Sequence, residues 1–152
     1  MLEKLPTRLN LEKRGVVILS NLCPLCNKFE EIAQHVLISC EAAQKVWDNC
    51  DRWFGISFVR HQTIINHFQS FSLSGLSKNI NLVWKGMWVA IMWEIWMHRN
   101  IIVFNSGVVD DVEIFTLAKL KAWSWNRFRW QRVHYFVSDW FLCPTLCLVN
   151  TY

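Results

Sequence analysis

The chain has 152 residues, of which 53% are hydrophobic and 18% charged, with ten Trp, ten Phe and a net charge of +4. It is more apolar and less charged than an average soluble domain, so it needs a large core or surfaces that a partner covers. Six cysteines without a secretory segment argue against a secreted disulfide framework, and the modest basicity is compatible with nucleic acid without demanding it.

In chain order, Pro6-Thr7 followed by Arg8 to Arg14 reads as a short helix, with Thr7 at the N-cap and Gly15 as the stop. Val16 to Leu19 is an apolar run. It leads into Cys23-Pro24-Leu25-Cys26, with His35 and Cys40 following in the pattern C-x2-C-x8-H-x4-C. Glu30 to Ser39 reads as a short helix that returns His35 and Cys40 towards the first pair. Glu41 to Phe54 is the next helix, with Ala43, Val46, Trp47 and Cys50 at helical spacing and Gly55 at its end. Trp47 is expected to pack against the cysteine knot, which is too small for a core of its own.

Phe58 to Leu73 is weakly patterned, and its His61 and His67 read as surface or core histidines. Ser70 to Ser77 is Ser-rich and is the best linker candidate. Asn79 to Asn105 carries a stripe of Ile80, Trp84, Met87, Trp88, Ile91, Ile95 and Ile102. Within it, residues 82–96 are apolar enough to be taken for a membrane span. Lys85 and Glu94 interrupt the run, so a buried amphipathic helix is the preferred reading. Glu94 and His98 are i, i+4 neighbours and are expected to pair. Asp110-Asp111 resembles a magnesium-binding pair, but Asp110 with Glu113 reads better as a capping box. Glu113 to His134 reads as the last helix. Asp139 to Tyr152 has no assignment.

Two stretches carry chemistry. Cys23, Cys26, His35 and Cys40 supply three thiolates and an imidazole, the donor set of a closed tetrahedral zinc site. A redox dithiol lacks a surrounding βαβ pattern, and no fourth position is left for water, so a single structural Zn2+ is expected. The second stretch interleaves Lys119, Lys121, Arg127, Arg129 and Arg132 with Trp123, Trp125, Phe128 and Trp130. Basic and aromatic residues together suit phosphate contact and base stacking. A core helix with basic exposed positions fits the same residues.

A family resemblance rests on Leu5-Pro6-Thr7, Asn10-Leu11, Arg14-Gly15-Val16, Cys23-Pro24-Leu25-Cys26, Glu31, His35-Val36-Leu37, Cys40 and Val46-Trp47. Downstream it adds Trp93, Ile95-Trp96, His98-Arg99-Asn100 and Val103-Phe104, and near the end Ala118, Lys121-Ala122-Trp123 and Asp139-Trp140. This combination resembles the zinc-binding domain at the C-terminal end of plant non-LTR (LINE-type) retrotransposon reverse transcriptases. The resemblance implies zinc at Cys23, Cys26, His35 and Cys40 and descent from a mobile-element protein. No polymerase body or ribonuclease H segment accompanies it here, so it implies no polymerase activity. The start inside the Leu-Pro-Thr motif reads as that of a fragment.

The expected fold is mostly α, with a small Cys-Cys-His-Cys zinc knot followed by a Trp-rich helical region. The expected division is a zinc-binding domain at 1–57, a linker or irregular segment at 58–78 and the Trp-rich region at 79–152. The expected function is a non-catalytic, intracellular, zinc-binding module associated with RNA or DNA. The alternative is an interaction or scaffold remnant that docked on a reverse transcriptase body and binds no nucleic acid itself.

Overall fold

The computed structural model describes residues 4–129 and 135–149. The described residues are mostly helical and contain no β-strand, only an isolated antiparallel bridge between Leu22 and Glu30. The helices are α1 (Arg8–Lys13), α2 (Glu41–Phe54), α3 (Ile64–Ser70), α4 (Lys78–Asn105), α5 (Asp111–Arg129), α6 (Val137–Leu142) and α7 (Pro144–Val149), with one π-helical turn at His35–Ser39.

Local chemistry sets most of the boundaries. The Thr7 hydroxyl accepts from the Asn10 amide at 3.3 Å and starts α1. Thr63 and Ser77 cap α3 and α4 in the same way. Asp110 Oδ1 accepts from the Glu113 amide at 2.9 Å and caps α5, while Asp111 accepts from Asn49 Nδ2 at 2.9 Å. Both aspartates therefore do structural work. Gly55 ends α2 at φ 75°, a left-handed position that costs a side-chain-bearing residue more. At Gly107 a Cβ would stand 2.8 Å from Ile101 Cγ2, so a larger residue would have to push that side chain aside where the chain leaves α4.

The longest element, α4, packs its inner side against the rest of the molecule. Of the stripe expected from the sequence, Ile80, Trp84, Met87, Trp88, Ile91 and Ile95 are buried and Ile102 is half-buried. Helix α5 folds back along it, so that Glu94 meets Lys121 at 3.0 Å and Gly86 faces Asn126. Helix α2 packs across both. An aromatic cluster fills the space between them: Trp84 stacks on Phe71 with centroids 4.7 Å apart, and Phe54, Phe58 and Trp53 surround it. A buried Trp removes roughly 200 Å² from water, which at about 25 cal/mol per Å² is about 5 kcal/mol. Trp47, Trp84 and Trp140, all essentially inaccessible, thus carry a large share of the core energy.

Three sequence expectations need correction. The helix expected over Glu30–Ser39 is shorter: Glu30 belongs to the bridge with Leu22, and helical backbone begins at Ala33 and widens to the π-turn at His35–Ser39. Glu94 pairs with Lys121 rather than with His98. His98 Nε2 instead lies 2.8 Å from the Val108 carbonyl and 3.2 Å from the Asp110 amide, because α5 brings both partners nearer than its own helix does. Residues 58–78 contain α3 and also send Phe58, His67, Phe71 and Leu73 into the core. The end of the expected last helix, including Trp130 and Arg132, lies outside the described residues, as does the Arg129 side chain. No described helix is long and apolar enough to cross a membrane.

His67 is a core histidine. Its Nδ1 accepts from Trp88 Nε1 at 2.8 Å, and its ring packs edge-on to Trp47 at 4.6 Å. Burial, with smaller contributions from Arg60 and His61, lowers its pKa to about 4. In the unfolded chain it returns to about 6.5. With the folded-state pKa depressed, the unfolded state binds more protons, so stability is full above pH 6.5 and falls as pH drops towards 4. The loss expected from this group is on the order of 3 kcal/mol across that window. Urea unfolding at several pH values should show a shallower decline for His67→Gln, which keeps an acceptor for Trp88 but cannot titrate; an unchanged decline would refute the assignment.

Candidate metal centre

Residues 21–31 form a minimal hairpin. The Cys23 amide donates to the Phe29 carbonyl at 2.7 Å, and the Glu31 amide donates to the Asn21 carbonyl at 2.7 Å. At its tip the Asn27 amide closes on the Cys23 carbonyl at 2.8 Å. Asn27 adopts φ 54°, a left-handed conformation that asparagine tolerates better than most residues. This knuckle turns Cys23 and Cys26 towards the same point.

The other two donors come from the π-turn. Its closing bond runs from the Cys40 amide to the His35 carbonyl at 2.7 Å, an i→i+5 bond. The wider turn thereby brings the backbone of Cys40 back against that of His35, five residues earlier. The H-x4-C spacing therefore matches the backbone that holds it. Val36, Leu37 and Ile38 of the same turn are buried, and Trp47 Nε1 donates to the Leu37 carbonyl at 3.0 Å. That bond fixes the turn on α2, as expected of Trp47.

The four donor atoms all lie within 4.8 Å of one another. Cys23 Sγ and Cys40 Sγ are 4.0 Å apart, and Cys26 Sγ is 3.3 Å from His35 Nε2. A tetrahedral zinc with Zn–S bonds of about 2.3 Å has S–S edges of about 3.8 Å, so the cluster has the size of one such ion. With Nδ1 as the protonated nitrogen, His35 donates to Ser39 Oγ at 3.4 Å and its Nε2 lone pair points into the cluster. Phe29 covers the ring from outside, centroids 5.4 Å apart.

The electrostatics also fit a cation. The contact with Cys40, followed by burial, pushes the Cys23 thiol well up. The same contact with Cys23 lowers Cys40, assisted by the Ala42 amide at the start of α2. The contact thus shifts the two thiols in opposite directions and favours ionisation of Cys40 ahead of Cys23. The amides of Leu25 and Cys26 favour the Cys23 thiolate, so a divalent ion would find a cradle already polarised for negative sulfur. Burial lowers the pKa of His35, which keeps its ring neutral and able to ligate.

One partnership was not visible in the sequence. Glu31, fully buried beside the knuckle, takes Arg99 of α4 in a two-pronged ion pair, Nε–Oε1 2.5 Å and Nη2–Oε2 2.7 Å. Glu31 Oε2 also accepts from the Arg8 amide at 2.6 Å. The Arg99 guanidinium stacks 4.8 Å over Trp96, and its Nη1 donates to Asn100. One carboxylate thus joins α1, the cysteine knot and α4. Both residues stand in the sequence motifs, but no local spacing pairs positions 68 apart.

The basic positions fare differently. Burial lowers the pKa of Lys119, whose ammonium lies 4.0 Å from the Phe141 ring centroid and 5.0 Å from that of Phe115. Lys121 pairs with Glu94 and lies over Trp93 at 5.6 Å. Arg127 is exposed and stacks 5.3 Å over Trp123.

Residues 1–47 match the family described as zinc-binding in reverse transcriptase. That match takes in all four donors and is to a zinc-binding module rather than to a catalytic polymerase domain. No curated protein and no solved structure matches the chain.

Removing one partner of a buried, hydrogen-bonded ion pair costs about 3–5 kcal/mol. Arg99→Met is expected to destabilise the protein by that amount in denaturant titrations, and adding Glu31→Leu to recover part of the loss. A double variant weaker by the sum of the two single changes would show that the residues do not act as a pair.

Proposed function

We propose that this chain is a non-catalytic zinc-binding module in which Cys23, Cys26, His35 and Cys40 hold one structural Zn2+, and which associates with RNA or DNA. The observation that carries the metal part is the convergence of four protein donors within 4.8 Å, three of them sulfur. Four protein ligands complete a tetrahedron and leave no vertex for a reacting water, so the ion would supply cross-linking energy rather than Lewis-acid chemistry. Such a site contributes about 10 kcal/mol or more to folding.

Elemental analysis of the purified protein should find one zinc per chain. Cys40→Ser should lose the metal and unfold the segment before α2, and a chelator should do the same to the unaltered chain. A folded protein free of metal would sink this reading.

The nucleic-acid part is supported by the reverse-transcriptase context of the matched family, the net charge of +4 and the exposed Arg127–Trp123 stack. Lys119 and Lys121 add to the field, but their ammonium groups face Phe141 and Glu94 rather than solvent alone. Binding to single-stranded RNA should weaken steeply with salt, with a slope of about −0.7 per phosphate contacted. Arg127→Ala should weaken binding on all sequences alike and flatten that slope by about one contact. Affinity indifferent to salt, or absent even at low salt, would exclude direct association.

A further inference from the structure

Helix α4 is apolar on its outer side as well as its inner one. Leu82, Val89, Trp93, Met97, Ile101 and Phe104 follow one another at helical spacing and are all exposed, Trp93 by 49%. A helix apolar all round is normally covered on every side. Beside this stripe, α5 exposes Leu117, Leu120 and Phe128, which share a face with Glu113 by their i, i+4, i+7 and i+15 spacing. The two helices thus present neighbouring apolar stripes, with Lys121 lying over Trp93 between them, an acidic end at Asp110 and Glu113 and a basic end at Lys85 and Arg127.

We infer that this α4–α5 face is the contact between two copies of the chain, related by a two-fold axis that crosses α4 at Trp93. Three observations support a second copy as the occupant. The stripe is centred on Trp93, with Leu82 and Phe104 each eleven residues away. The charges are centred on the same level: Glu113 and Arg127 lie seven residues on either side of Leu120, and its neighbour Lys121 sits 5.6 Å from the Trp93 ring. Antiparallel pairing about this axis lays apolar on apolar and brings Glu113 to the second copy's Arg127, as an isologous interface requires. The size is also adequate. Twenty-two steps of about 1.5 Å give a length of about 33 Å, and two helices about 9 Å apart give a width of about 18 Å. The footprint is on the order of 600 Å² per copy, close to the roughly 800 Å² per partner of a standard interface.

The inference claims Arg127 for the second copy's Glu113 where the nucleic-acid reading claims it for a phosphate, so its test omits nucleic acid. Sedimentation equilibrium of the purified full chain should give a dimer. Trp93→Glu should weaken dimerisation by about ten-fold or more, as a central aromatic anchor does, with far-UV circular dichroism and zinc content unchanged because Trp93 is half exposed. Glu113→Arg and Arg127→Glu should each weaken the dimer, and the two together should restore it. A wild-type chain that stays monomeric at all concentrations would overturn the inference and leave the face to a different partner. A dimer untouched by Trp93→Glu would overturn it equally.

Discussion

The segment before α2 depends on one constraint: four soft donor atoms from two short pieces of backbone must meet within the span of a single ion. Residues 4–40 contain one six-residue helix, a bridge and a π-turn, and apart from Cys23 and Cys40 only Leu25, Val36, Leu37 and Ile38 among their apolar side chains are buried in the core. So little apolar burial cannot order a segment of this length against its conformational entropy. Cys23 and Cys40, 4.0 Å apart, oppose each other's ionisation when no cation lies between them. With one, the same proximity that opposes ionisation becomes a cross-link.

The four-donor cluster is tied to the rest of the molecule by two contacts of different character. Trp47 reaches from α2 to the Leu37 carbonyl and carries the π-turn on an apolar surface, backed by His67 and Trp88. Glu31 reaches Arg99 through a buried ion pair, which contributes little net energy compared with an apolar pair but penalises any arrangement in which the charges separate. The first contact supplies stability. The second specifies where on α4 the knot sits. Arg99 is held for this by its stack on Trp96, and its neighbour His98 holds the turn into α5. The His98-Arg99-Asn100 run is thus the place where the knot, α4 and the α5 entry are joined.

The Trp-rich half shows why an aromatic, basic composition is ambiguous by itself. Lys119 and Arg127 read alike in the sequence, yet one ammonium is enclosed by Phe115 and Phe141 while the other cation is exposed over Trp123. Lys119 lies on the side of α5 that meets α2 and α6, where Trp53 and Trp140 donate to the Phe141 and Lys119 carbonyls. A basic residue flanked by aromatics describes a cation–π cage inside a protein as well as it describes a nucleic-acid contact outside one.

The sequence alone determined the helical class, the Thr7 and Asp110 caps, the ends of α2 and α4 and the buried stripe from Ile80 to Ile95, because each depends on residues within a few positions of one another. It also picked out Cys23, Cys26, His35 and Cys40 as one donor set, since their spacings are local. The tertiary structure decided the rest. The bridge at Glu30 shortened the expected helix, and an i→i+5 turn at His35 widened it. Lys121 and not His98 became the partner of Glu94, because α5 folds back on α4. The pairing of Glu31 with Arg99 follows from the same cause: it depends on where the knot comes to rest on α4, a position set by packing between elements far apart in the chain.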